Sequence, residues 1–170
     1  MIRFPRPLFL LTCLALAACA GAPVAEPLIL PRNVYGAFVG IAPERESQLA
    51  EEAVRQLAQV YPPAETLLDF PQRIADDGFG QKLLWAAQHQ GYFIRQSHVP
   101  GVPPSCAQKM VPRKDGAAIH HPLPTCYLVD DVDGLLRLTL FVAGEVWSRL
   151  YAEDEGGLRP AGAWAHWRSR

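Results

Sequence analysis

Neither sign of charge dominates this 170-residue chain: 16 lysines and arginines stand against 17 aspartates and glutamates. Without a basic excess to meet phosphates, direct contact with nucleic acid is not expected. Long apolar runs are equally scarce. One spans residues 8–16, interrupted by Thr12 and Cys13, which is too short to cross a bilayer, and no second one follows. Signatures of chemistry are missing as well. There is no glycine-rich phosphate loop, no G-x-S-x-G turn and no H-E-x-x-H pair. Carboxylates are present, but nothing singles out a pair for hydrolysis. The expectation is a chain that is not an enzyme and needs no cofactor. No internal repeat is visible, and the length suits one domain with a real core.

The informative part begins at the first residue. Arg3 and Arg6 give a basic start, the apolar run follows, and Ala17 and Ala18 precede Cys19. That is the three-part layout of a secretory signal. The tetrapeptide Leu16-Ala17-Ala18-Cys19 resembles the lipobox of bacterial lipoproteins. The resemblance implies that residues 1–18 are removed and that Cys19 is acylated on its thiol and then on its amine. An ordinary signal, with Cys19 an incidental thiol, is the rival reading. Ala20 stands where an aspartate would favour inner-membrane retention, so the expected address is the outer membrane, facing the periplasm. Each buried acyl methylene adds roughly 0.8 kcal/mol, so several chains hold a protein firmly without a transmembrane helix. Loss of Arg3 and Arg6 leaves 14 basic residues against 17 acidic, a net charge of −3.

With Cys13 in the signal and Cys19 lipidated, Cys106 and Cys126 remain as a pair. In an oxidising periplasm their default state is a disulfide, which stabilises by roughly 3 kcal/mol for a loop of this size. Zinc is the competing use, with His120 and His121 completing a four-ligand set. Adjacent histidines on an extended chain point to opposite sides, and the C-x-x-C and H-x₃-H spacings are absent, so no metal is expected. A cysteine held in a disulfide also cannot act as a nucleophile. Asp130, Asp131 and Asp133 beside Gly134 lack the alternating spacing of a calcium loop and fit a solvated hairpin.

Three regions organise the mature chain: a lipidated N-terminus and tether over 19–42, a globular domain over 43–170, and a proline-rich excursion over 97–125 inside it. Pro23, Pro27 and Pro31 keep the tether extended. Residues 33–41 are apolar again, and two readings are open. They form an edge strand of the domain, or they add as a strand to another protein's sheet, with Val34, Tyr35, Phe38 and Val39 as the partner-binding residues. Pro43, Glu44 and Glu46 suit a helix start, and Leu49, Ala53, Leu57 and Val60 recur at helical spacing up to Pro62-Pro63. Residues 65–70 read as a strand. A second helix starts at Asp76 or Asp77, runs through Phe79 and Leu83, and stops at Gly91. Strands follow over 92–94 and 126–132. Leu136, Leu138, Leu140 and Val142 alternate on one face of the next strand, and Val146 to Ala152 alternate in another, before a last strand at 163–167. Trp147, Tyr151, Trp164 and Trp167 form either a recognition face or part of the core; their strand spacing favours the core, with one tryptophan left exposed for a partner. The fold class is α+β: two helices on a small mixed or antiparallel sheet ending in a β-meander.

The runs Leu57-Ala58-Gln59-Val60-Tyr61-Pro62-Pro63-Ala64 and Phe79-Gly80, with the helix end Gly91-Tyr92, resemble the TrbH family of conjugal transfer lipoproteins. Tyr35-Gly36-Ala37-Phe38-Val39, Tyr127-Leu128-Val129-Asp130, Leu136-Arg137-Leu138-Thr139-Leu140, Ser148-Arg149-Leu150-Tyr151 and Pro160-Ala161-Gly162-Ala163-Trp164 extend the likeness over most of the mature chain. The segment 97–125 departs from it and looks like an insertion. The resemblance implies a structural subunit of a mating-pair-formation, type IV secretion apparatus, with other core-complex subunits as partners and a domain like the N-terminal domain of secretins. The alternative function, from the residues alone, is a periplasmic metal- or ligand-binding lipoprotein.

Overall fold

Helix α1, Pro43–Val60, starts where proline has no backbone N–H to leave unpaired, and Glu44 and Glu46 sit in its positive first turn. Its buried face is Leu49, Ala50, Ala53, Val54, Gln56 and Leu57. Val60 was expected to continue that stripe and is exposed instead. The helix ends there, because Pro62 holds Tyr61 in extended geometry, φ −123° and ψ 102°. The computed structural model describes residues 35–71, 74, 77–97, 106 and 122–168.

Among these residues two α-helices lie against an eight-stranded mixed sheet, the α+β arrangement expected. The first strand, β1, is Gly36–Ala37, and a 3₁₀ turn at Pro63–Glu65 leads from α1 into β2, Leu67–Phe70. Helix α2, Gly78–His89, is capped by Asp77, whose side chain accepts from Gly80 N, and the chain turns at Gly91 with φ +93°. Then come β3 (Phe93–Gln96), β4 (Pro122–Val132), β5 (Leu135–Val142), β6 (Glu145–Asp154), β7 (Gly157–Pro160) and β8 (Ala165–Arg168). The order across the sheet is β3-β2-β4-β5-β6-β7, with β1 beside β4 and β8 beside β6. Strands β1 and β2 run parallel to β4, and β3 parallel to β2, while β4 to β7 form the antiparallel meander and β8 pairs antiparallel with β6.

Alternation decides the faces. Leu136, Leu138, Leu140 and Val142 of β5 are buried with Tyr127, Val129 and Tyr151 in one core cluster that includes the apolar faces of α1 and α2. Residues one register away, such as Cys126 and Phe141, point to the other face of the sheet. Gly36–Ala37 pairs with β4 in the sheet, ahead of α1. Strand β4 begins at Pro122, inside the stretch expected to be an excursion.

Candidate functional site

Polar contacts between distant segments converge on a clasp around β1. Phe38 N donates to Val129 O (2.9 Å), on the β4 side of the strand. Ala37 N points the other way and donates to Asp77 Oδ2 (3.0 Å). The same carboxylate accepts from Tyr127 Oη (2.7 Å) through Oδ2 and from Gly80 N (3.2 Å) through Oδ1. One side chain therefore caps α2, seals the outer edge of β1 and holds a tyrosine of β4. Glycine is required at 80: a Cβ there would run into Tyr127 Oη and lie 2.7 Å from Ile74 Cγ2. Phe79 packs edge-on against Tyr127, with ring centroids 5.0 Å apart.

Of the partner-binding candidates, Tyr35 sets its ring edge-on to Phe141 (5.1 Å), and burial pushes its hydroxyl pKa up. Val39 packs against the core, and Phe38 is 54 % exposed. Of the two readings left open, pairing inside the chain's own sheet is the one observed. The N–H groups of Ala37 and Phe38 are both engaged within the domain, and the Phe38 side chain is left exposed.

Other segments that stand apart in sequence meet in the same way. Tyr92 Oη donates to Tyr61 O (2.8 Å), joining Gly91-Tyr92 to the Tyr61-Pro62-Pro63 stop, and burial raises the Tyr92 pKa to about 12. Asp130 takes two hydrogen bonds from Arg137, 2.9 Å from Nε and 2.5 Å from Nη2. Arg149 Nε donates to Gly162 O (2.8 Å), and its guanidinium lies 5.9 Å from the Trp164 ring centroid. Specific contacts thus join the runs Tyr35–Val39, Phe79-Gly80 and Tyr127–Asp130 to one another, and the Pro160–Trp164 loop to Ser148–Tyr151. Residues 32–168 match the family of conjugal transfer protein TrbH. The chain belongs to the TrbH family. No curated protein and no solved structure matches it, so the likeness to a secretin domain gains no support from known folds.

The remaining residues singled out in this TrbH-family sequence fall as follows. Cys19, Val34, His120 and His121 lie outside the described residues. Cys106 and Cys126 are joined as a disulfide with Cα atoms 5.7 Å apart, and both are buried. Among the described residues no group of three or more histidines, cysteines and carboxylates is placed to hold a metal ion. No described helix is long and apolar enough to cross a membrane. Tyr151 is buried, Trp147 and Trp164 pack partly buried against the core, and Trp167 is the exposed member of that set. Trp147 stacks on His166 (3.8 Å between centroids), and Glu145 bonds both His166 and Arg168.

One residue the sequence reading passed over is Trp85. Phe79, Leu83, Ala86 and Ala87 form the buried face of α2, and Trp85 falls nearly opposite them, 57 % exposed. A large aromatic on the polar side of an amphipathic helix was the signal available.

Proposed function

We propose that this TrbH-family chain is a non-enzymatic structural lipoprotein of a mating-pair-formation apparatus, a type IV secretion system of the cell envelope. In this reading Cys19 carries lipid in the outer membrane, residues 20–34 form the tether, and the domain docks on other core-complex subunits in the periplasm. DNA passes through such a machine without needing to touch this acidic subunit. The observation that carries the proposal is the family match over nearly all of the chain beyond the signal-like start, residues 32–168. The basic, apolar and small-residue sequence ending at Cys19 supports the anchor. Phe38, exposed beside the point where the tether enters the sheet, is the partner-facing residue we favour.

Plasmid transfer from donors lacking the gene tests the role. Transfer should collapse, return with the wild-type gene, and stay low with a Cys19→Ser protein that is still exported. Full transfer without the gene would sink the structural role. Full rescue by Cys19→Ser would sink the anchor alone.

A further inference from the structure

The outward faces of α1 and α2 enclose a groove of two connected lobes, about 450 and 390 Å³, that share Glu51, Trp85 and Ala86. Trp85 stands in it with more than half of its surface open to solvent. His89, one turn further along α2, packs against the indole with ring centroids 3.9 Å apart, which fixes the side chain before any partner arrives. The α1 wall carries Glu51 and the α2 wall carries Lys82, both exposed. Neither has a hydrogen-bond or ion-pair partner among the described residues. Glu52 beside them is by contrast engaged with Arg55 and Arg149. An unpaired acid and an unpaired base therefore flank an ordered, exposed tryptophan.

We propose that this groove is a self-association surface whose occupant is the same groove of a second copy. A two-fold axis running along the groove lays the α1 wall of one copy over the α2 wall of the other. Glu51 then meets the partner's Lys82, Lys82 meets the partner's Glu51, and the two tryptophans meet near the axis. That is the self-complementarity an isologous contact demands. A central aromatic ringed by polar groups is also the usual layout of an interface hot spot. The charge pattern selects this occupant, because a copy of the same groove answers both charges at once with no further assumption about composition.

Sedimentation equilibrium of the purified full chain in density-matched detergent tests it. We expect a reversible monomer–dimer equilibrium that Trp85→Ala weakens by at least about tenfold. Glu51→Lys and Lys82→Glu should each weaken it too, by placing like charges opposite one another. An equimolar mixture of those two single variants should associate again, as should the double variant carrying both reversals. Thermal melting of each variant separates loss of contact from loss of fold, and recovery in the mixture proves both chains folded. A wild-type chain that stays monomeric at every concentration, or a dimer indifferent to Trp85→Ala and to both reversals, overturns the proposal. Reversals that fail to rescue one another do the same.

Discussion

At the scale of single residues, Asp77 holds the N-terminal part of the domain together. Its carboxylate accepts three hydrogen bonds, from β1, α2 and β4, and Gly80 provides the space that lets Tyr127 reach it. Gly80→Ala should destabilise the domain by about 2 kcal/mol or more, since the new methyl group has to displace Tyr127 and Ile74 in a packed core. Tyr127→Phe removes one bond and leaves the ring in place, so a smaller loss of about 1 kcal/mol is expected. Urea unfolding of both variants checks the ranking, and equal losses would show that the glycine serves no steric purpose. Glu145 gives a pH dependence of defined sign. Partial burial opposes its ionisation, the hydrogen bonds from His166 and Arg168 outweigh that, and its pKa is held below the ordinary carboxylate value. A depressed carboxylate stabilises the fold above its unfolded pKa of about 4 and loses that contribution as pH falls through the lower folded value. Glu145→Gln should therefore lower the unfolding free energy at pH 7 by under about 1 kcal/mol, and the gap should close on acidification. A gap that widens in acid would contradict the assignment.

At the scale of elements, the first two turns of the meander make a contrast. Asp133 and Gly134 turn β4 into β5 with φ of +53° and +79°, and Ala143 and Gly144 turn β5 into β6 with φ of +51° and +87°. Both are positions where hairpins favour asparagine, aspartate or glycine, and Ala143 is the misfit. Ala143→Gly should stabilise by about 0.5–1 kcal/mol, read as a higher midpoint of thermal unfolding. A lower midpoint would mean that the alanine methyl packs better than its backbone is strained. Strands β7 and β8 show what sequence pattern conveys poorly. Tyr151 pairs with Pro160 and Ser148 with Ala165, so the two residues between them on β6 face four on the opposing chain. The loop between them, Ala161 to Trp164, is anchored by Arg149 at Gly162. What was legible beforehand was whatever repeats: the helical spacing of Leu49, Ala53 and Leu57, and the alternation through β5 and β6. What was not legible depends on a partner distant in sequence. Pro122 and Pro124 look like loop residues, yet Pro124 turns its carbonyl to Ala143 N (2.9 Å) and away from β2, so its missing N–H leaves no gap in that ladder. Gly36–Ala37 is too short for any periodicity, and only β4 makes it a strand. The clasp was hidden for the same reason, since Asp77 and Tyr127 lie 50 residues apart.

For the whole molecule, the sheet has helices on one face, and the disulfide marks the other. Cys126 points away from the helices and ties down Cys106, a residue 20 positions earlier that is fully buried. Replacing both cysteines with serine should lower stability by roughly 3 kcal/mol, within the range for closing a loop of that length. Chemical unfolding with and without reductant gives the same comparison on the unmodified chain, and reductant-independent unfolding would contradict it. The order of attachments at the N-terminal end has a mechanical meaning. Tension arriving along the chain ahead of Tyr35 reaches the domain through the Tyr35 ring on Phe141 and the backbone bonds of β1 to Asp77 and Val129, before any residue of α1 bears load. Those bonds hold a two-residue strand, so β1 is expected to part before the longer strands β4 to β6. Release of residues 36–42 would free a stretch whose contour length is roughly 25 Å. The domain thereby gains reach while α1, α2 and the meander stay folded.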